Sequence, residues 1–254
     1  MATVILARHG RTTANTSGVL AGRSKGVRLD EHGVEQARAA AGRVSGLRLA
    51  AIVSSPLERC RDTAREIGAL QPVPVRVVND RRLVECDYGS WTGQEIKRLA
   101  KDPLWKTVQT HPAGVTFPEG ESMAAMMARG VAGVRDWDAR IEAEHGPDAV
   151  WLAVSHGDVI KSVLADALGL HLDLFQRIVV DPASLSVIRY TPLRPFVLGV
   201  NSVAGPLDAL QPPARKGRRR LASDAVPGGG TGAVSNGARQ PGRAPARDRR
   251  RTTA

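Results

Sequence analysis

The sequence predicts an α/β sandwich on a largely parallel sheet. Three observations carry that class. Short apolar runs alternate with longer stretches of helical period through the first 200 residues or so. Several of these runs are apolar throughout, as strands covered on both faces are. The helical stretches stop at glycines, near Gly46, Gly68 and Gly169.

The elements follow in order. Thr3-Val4-Ile5-Leu6-Ala7 reads as a buried strand that ends at Arg8-His9-Gly10. Gly18 to Gly26 reads as loop. Asp30 or Glu31 opens a helix that closes near Gly46. Ala50-Ala51-Ile52-Val53 is a second strand and ends at Ser54-Ser55-Pro56. A helix is expected from Pro56 to Ile67, with Pro56 in its first position, where a missing N–H has no helical partner. Val73 to Val78 is a third strand. Residues 83–118 are irregular or short-helical, broken at Pro103, Pro112 and Pro118. Ser122 starts a helix that reaches about Ala143. Val150 to Val154 is a strand ending in Ser155-His156-Gly157, and a helix follows over Val159–Leu168. Ser184 to Tyr190 and Phe196 to Val200 are late strands.

Charge divides the chain. Its 254 residues carry a net charge of +11, but eleven Lys/Arg and only two Asp fall in residues 211–254. The body is nearly neutral, so a basic isoelectric point does not make it a nucleic-acid binder. Residues 1–205 suit one globular domain, and 206–254 read as a disordered basic tail that includes Pro227-Gly228-Gly229-Gly230. That tail could touch nucleic acid or another polyanion, though a solvated extension is the plainer expectation. No run of 18 apolar residues suggests a membrane span. Cys60 and Cys86 are too few for a disulfide framework or a thiolate zinc site and read as packing thiols. With no export signal visible, the cytoplasm is the expected compartment. No metal site is expected, since His32, His111, His145 and His171 show no ligand spacing.

Four polar clusters lie at or after the ends of the apolar strands: Arg8-His9-Gly10, Ser54 to Arg59, Glu85, and Ser155-His156-Gly157. Parallel strands share one carboxyl edge, and ligands bind there in open α/β sheets. The two His-Gly pairs should therefore meet, each Gly allowing close backbone approach to a ligand. Two imidazoles, several guanidiniums and a carboxyl make a phosphate-handling set. Arg offers planar, charge-assisted donors to phosphoryl oxygens. A neutral imidazole is a competent nucleophile. A carboxylic acid can protonate the leaving alkoxide.

These blocks resemble the histidine phosphatase superfamily, the phosphoglycerate mutase-like family. Arg8-His9-Gly10-Arg11-Thr12-Thr13-Ala14-Asn15 fits the family's R-H-G-x-T-x-x-N. Further matches are Gly33 with Gln36-Ala37, Ser55-Pro56-Leu57-Glu58-Arg59-Cys60, Leu83-Val84-Glu85 with Gly89-Ser90-Trp91, Gly120-Glu121-Ser122, and Val154-Ser155-His156-Gly157. The resemblance runs in order over about residues 3–200 and implies a three-layer sandwich.

The resemblance also implies roles. His9 would be the phosphorylated nucleophile. Arg8 and Arg59 would clamp the phosphoryl oxygens with help from Asn15. His156 would bind the phosphoryl group and stabilise the transition state, and Gly157 would offer a backbone N–H. Glu85 would be the proton donor. No cofactor or metal is implied, and the partner would be a small phosphorylated metabolite. Glu85-Cys86-Asp87-Tyr88-Gly89-Ser90-Trp91 is more similar to the broad-specificity and α-ribazole phosphatase branch than to the mutases. Arg11, where the family commonly has Glu, should add charge at the pocket mouth and favour a more anionic substrate. The expected activity is hydrolysis of small phosphomonoesters. The alternatives are a cofactor-dependent phosphoglycerate mutase or other phosphomutase and, further off, a non-catalytic phosphate-binding module tethered by the tail. The sequence leaves the physiological substrate and the oligomeric state open.

Overall fold

The computed structural model describes residues 2–203 together with Pro227 and Gly228. Strands β1 (Thr3–Arg8), β2 (Leu49–Ser54), β3 (Val77–Asn79) and β4 (Val150–Ser155) run parallel. β5 (Leu185–Arg189) and β6 (Phe196–Ser202) extend the sheet antiparallel beyond β1. The order across the sheet is β3-β2-β4-β1-β5-β6. The β1–β4 pairing stays in register from Thr3 opposite Val150 to Arg8 opposite Ser155. That register brings the two strand ends level, and with them the residues that follow.

Side chains alternate across a strand, so each central strand feeds two cores. Val4, Leu6, Ala51, Val53, Trp151 and Ala153 face one core, and Ile5, Ala7, Ile52, Leu152 and Val154 the other. The helices are α1 (Thr13–Ser17), α2 (Glu31–Val44), α3 (Glu58–Ala69), α4 (Ile96–Leu99), α5 (Pro103–Thr110), α6 (Met123–His145) and α7 (Gly157–Ala167). α2 and α3 close the second core through Ala40, Ala41, Val44, Cys60, Ala64 and Ile67. α6 and α7 close the first through Val134, Ile141, Val159 and Val163. This is the three-layer architecture the sequence predicts, with β1 and β4 covered on both sides.

The sequence also marks the helix starts. Asp30 caps α2 by accepting from the Gly33 N–H at 2.7 Å, and Ser122 caps α6 by accepting from Ala125 N–H. Some boundaries differ from expectation. The third strand shrinks to three residues, because Pro74 has no N–H to give a ladder. Pro56 does not open α3. Leu57 is the cap and Glu58 the first helical residue, so Pro56 belongs to the turn out of β2. α7 begins two residues early, at Gly157, directly after His156. The excursion between Leu83 and Ser122 packs around Trp91, which stacks on Trp105 with ring centroids 6.1 Å apart and meets Phe117 edge-on. Of the expected disordered tail, 206–254, all but Pro227 and Gly228 lies outside the described residues. Those two form a turn at the carboxyl edge of the sheet.

Candidate active site

β1 ends at Arg8 and delivers His9. The loop after β2 and the first turn of α3 deliver Ser55 and Arg59. β4 delivers His156. Glu85 arrives on the segment following a single 3-10 turn, Arg81–Leu83. Five groups thus meet at one edge: Arg8, His9, Arg59, Glu85 and His156 are each no more than 3% exposed. The imidazoles of His9 and His156 are 5.2 Å apart between centroids, at 61°.

His9 is oriented from both sides. Its Nδ1 lies 2.7 Å from the Gly10 carbonyl. A carbonyl only accepts, so Nδ1 carries the proton and Nε2 keeps its lone pair. Nε2 accepts from Arg59 Nε at 3.3 Å. Burial, followed by the charges of Arg59 and Arg8, holds the His9 pKa well below the ordinary histidine value. The result is a neutral imidazole aimed at a cationic group, the state a nucleophile needs.

Arg59 donates through Nη2 to the Gly22 carbonyl at 2.7 Å, while its Nη1 is buried with no hydrogen-bond partner among the described residues. A buried guanidinium N–H left unpaired is costly, and an anionic ligand would satisfy it. Arg8 is anchored by donation from Nη1 to the Val180 carbonyl at 2.7 Å. His156 Nε2 is 2.8 Å from Ser55 Oγ, with Cys60 Sγ 3.4 Å away. Burial and then Arg59 hold the His156 pKa low as well. Gly157 is the first residue of α7, where backbone N–H groups have no helical acceptor and the helix dipole favours an anion.

Glu85 has the opposite character. Burial, then the charge of Asp158, push its carboxyl up to about 7. Its Oε1 accepts from the Cys86 N–H at 2.9 Å. Its own carbonyl accepts from Arg23 Nε at 2.9 Å and Arg129 Nη2 at 3.0 Å. Both arginines bind Glu121, which also accepts from the Asp87 N–H at 2.9 Å. A carboxyl that keeps its proton near neutrality, beside an anion-seeking pocket, can serve as a general acid.

Two expectations need correction. Gly10 approaches the protein, not a ligand. A Cβ on Gly10 would lie 2.3 Å from the Gly33 carbonyl oxygen, and one on Gly33 would lie 2.0 Å from the Arg11 carbonyl oxygen. The backbones of the His9 loop and α2 touch there. Arg11 adds no free charge at the mouth, because its Nε donates to Asp30 at 2.8 Å. Asn15 caps α1. Its Oδ1 accepts from Thr12 N at 3.0 Å, which leaves its amide N–H groups as donors.

The sequence reading left several contributors without a role. Ser55 holds His156. Thr63 Oγ1 accepts from the Gly10 N–H at 3.1 Å. Glu121 stood in a motif block with no assigned task, and Arg23 and Arg129 had no local signal at all. Asp158 was missed although it follows Gly157. Its Oδ2 accepts from Tyr88 Oη at 2.8 Å and from the Gly228 N–H at 2.9 Å. Among the described residues no three His, Cys, Asp or Glu side chains are grouped to hold a metal ion. Nor is any helix among them long and apolar enough to cross a membrane.

A model of the histidine phosphatase superfamily (branch 1) matches residues 4–203, and the chain belongs to that family. It is 36% identical over 191 residues to the bifunctional protein Rv2228c of Mycobacterium tuberculosis, covering 74% of this chain and 50% of that protein. The chain therefore spans about half the length of that relative. It is 30% identical over 207 residues to phosphoserine phosphatase 1 of Hydrogenobacter thermophilus, 79% of this chain and 92% of that one. The solved structure of mycobacterial glucosyl-3-phosphoglycerate phosphatase Rv2419c in complex with VO3 matches it with TM-score 0.69 and 28% identity, over 79% of this chain and 98% of that chain.

Proposed function

We propose that the chain is a phosphatase that hydrolyses small phosphomonoesters through a phosphohistidine on His9, without a metal. The observation that carries this is the His9 imidazole, which is neutral, has its Nδ1 proton tied to Gly10, and directs its Nε2 lone pair toward the Arg59 guanidinium. In the first step Nε2 attacks phosphorus while the P–O bond to the leaving alcohol breaks, and Glu85 gives its proton to that oxygen. In the second step water attacks the phosphohistidine and the P–N bond breaks. The Glu85 carboxylate takes a proton from that water, and phosphate departs. Arg8, Arg59, His156, Asn15 and the Gly157 N–H hold the phosphoryl oxygens through both steps. Removing one such donor typically slows turnover about 10²–10³-fold.

A cleft of about 510 Å³ beside Glu85 supports a small anionic substrate. Arg23, Lys25, Arg81 and Arg129 line it, with Glu121 as a counter-charge. Relatives carry both names, phosphoserine phosphatase 1 at 30% identity and a probable phosphoglycerate mutase of Yersinia pestis at 32%, so the choice of hydrolysis rests on the Glu85–Trp91 stretch. The buried free thiols Cys60 and Cys86 suit the reducing cytoplasm. The test is phosphate release from p-nitrophenyl phosphate, phosphoserine and 3-phosphoglycerate, with and without EDTA. Release that EDTA leaves unchanged supports the reading. Interconversion of 2- and 3-phosphoglycerate, stimulated by bisphosphoglycerate and without net phosphate release, would replace it with a mutase. Phosphate binding without turnover would leave a binding module.

A further inference from the structure

A segment of the chain's own sequence reaches the catalytic edge at Arg8. Separated from Val203 by twenty-three residues, Pro227 and Gly228 lie against the catalytic edge. Pro227 is buried. The Gly228 N–H donates to Asp158 Oδ2 at 2.9 Å, and the Gly228 carbonyl accepts from Arg8 Nη2 at 3.2 Å. One residue's donor and acceptor are thus both taken by buried charged side chains. Gly228 adopts φ +78°, and a Cβ there would lie 3.3 Å from Leu20 Cδ1 and 3.7 Å from Tyr88 Oη. A positive φ and a close wall together select glycine at this one position.

Two features give the contact meaning. Arg8 belongs to the cation set proposed above to clamp a phosphoryl group, and Gly228 places a neutral carbonyl oxygen on one of its donors. Asp158 is a buried carboxylate whose Oδ1 lies 3.7 Å from Lys161 Nζ. A buried carboxylate repels phosphate but suits N–H and O–H donors, which is what it receives from Gly228 and Tyr88.

We propose that Pro227–Gly228 is a tethered plug that competes with the phosphorylated substrate for the Arg8 guanidinium. This rests on the catalytic reading for the role of Arg8 but makes a separate claim about the segment. A phosphoryl dianion makes stronger, charge-assisted bonds to Arg8 than a peptide carbonyl does, so ligand displaces the plug reversibly. While it is docked, the plug raises the apparent KM and leaves kcat unchanged. A segment docked about nine-tenths of the time raises KM about tenfold.

The experiment uses the full chain with two readouts. Amide hydrogen exchange at Gly228 is followed with and without orthovanadate, and KM and kcat for p-nitrophenyl phosphate are compared between the wild type and Gly228→Val. Valine is β-branched and resists φ +78°, so it should undock the segment without touching the pocket. The plug predicts a slowed Gly228 amide in the free chain, release of that protection by orthovanadate, and KM about fivefold to tenfold lower in the variant with kcat within about twofold. An amide that exchanges at the free-peptide rate overturns the proposal. So does protection that vanadate leaves or strengthens, because the segment would then close over the ligand instead of competing with it. A KM that stays or rises in the variant also overturns it. The two readings separate cleanly. Turnover with an unprotected Gly228 removes the plug and keeps the phosphatase. A protected amide released by vanadate, in a chain that hydrolyses none of the phosphomonoesters, keeps the plug and removes the phosphatase.

Discussion

A protonated Glu85 costs little in its buried site, whereas an ionised one has neither water nor a directly bound cation. Its side chain therefore sets a pH dependence in both stability and rate. The folded carboxyl ionises near pH 7 and the unfolded one near its ordinary value of 4.5. Below that ordinary value both states hold the proton. As pH rises through the window, the unfolded chain loses its proton first, so stability falls until the folded group ionises near 7. Glu85→Gln removes this penalty. The variant should lose less Tm than the wild type between pH 5 and 8, a difference on the order of 3 kcal/mol at the upper end. Equal slopes in the two Tm-against-pH curves would contradict the buried-acid assignment. In the rate, the wild type should decline above about pH 7 as the donor ionises. Glu85→Gln should lose that alkaline limb and fall roughly 10²–10⁴-fold on alkyl phosphates, read as kcat/KM across pH. The His9 pKa, held well below the histidine norm, places the acid limb under the ordinary value of 6.5.

At the scale of elements, the contact between the His9 loop and α2 positions His9, the proposed nucleophile. Gly10 and Gly33 bring two backbones together where a single methyl group would land on a carbonyl oxygen. Neither carbonyl belongs to a side chain that could swing away. Gly33→Ala should therefore cost about 2–3 kcal/mol, seen as a lower denaturant midpoint, and should reduce activity by shifting Arg11 and with it His9. An alanine variant with wild-type stability would show that the loop has slack. α3 acts similarly, with Thr63 binding the Gly10 N–H and its own Arg59 carbonyl. These roles were only partly legible. The sequence marks Gly10, Gly33 and Arg59 as motif residues, and strand periodicity places the His-Gly pairs on one edge. It assigns Gly10 to ligand approach because a residue string does not say which backbone lies opposite.

Over the whole molecule, what the sequence conveys is local chemistry and order. Apolar runs over 3–7, 50–53 and 150–154 foretell a covered parallel sheet, and each run is followed by a polar cluster, Arg8-His9-Gly10, Ser54 to Arg59 or Ser155-His156-Gly157. That suffices to predict that Arg8, His9, Arg59, Glu85 and His156 converge. Contacts between distant loops leave no such trace. Glu121 joins Arg23 from the loop after α1, Arg129 from α6 and the Asp87 backbone beside the acid. Removing it strands two partly buried guanidiniums that hold the Glu85 carbonyl. Glu121→Ala should lower stability by about 1–3 kcal/mol and depress turnover as the Glu85 segment slackens, measured by thermal melts and kcat. Unchanged values would reduce the network to decoration.

The central claim is that His9 becomes covalently phosphorylated, and the most direct measurement traps the enzyme during turnover. The chain is mixed with a phosphate-labelled phosphomonoester, quenched in milliseconds under alkaline denaturing conditions, and digested for peptide mapping. The account predicts an acid-labile, base-stable phosphoryl group on the peptide carrying His9, formed and lost at rates consistent with kcat and absent from His9→Ala. Steady turnover with no label on that peptide, or turnover retained by His9→Ala, would contradict it.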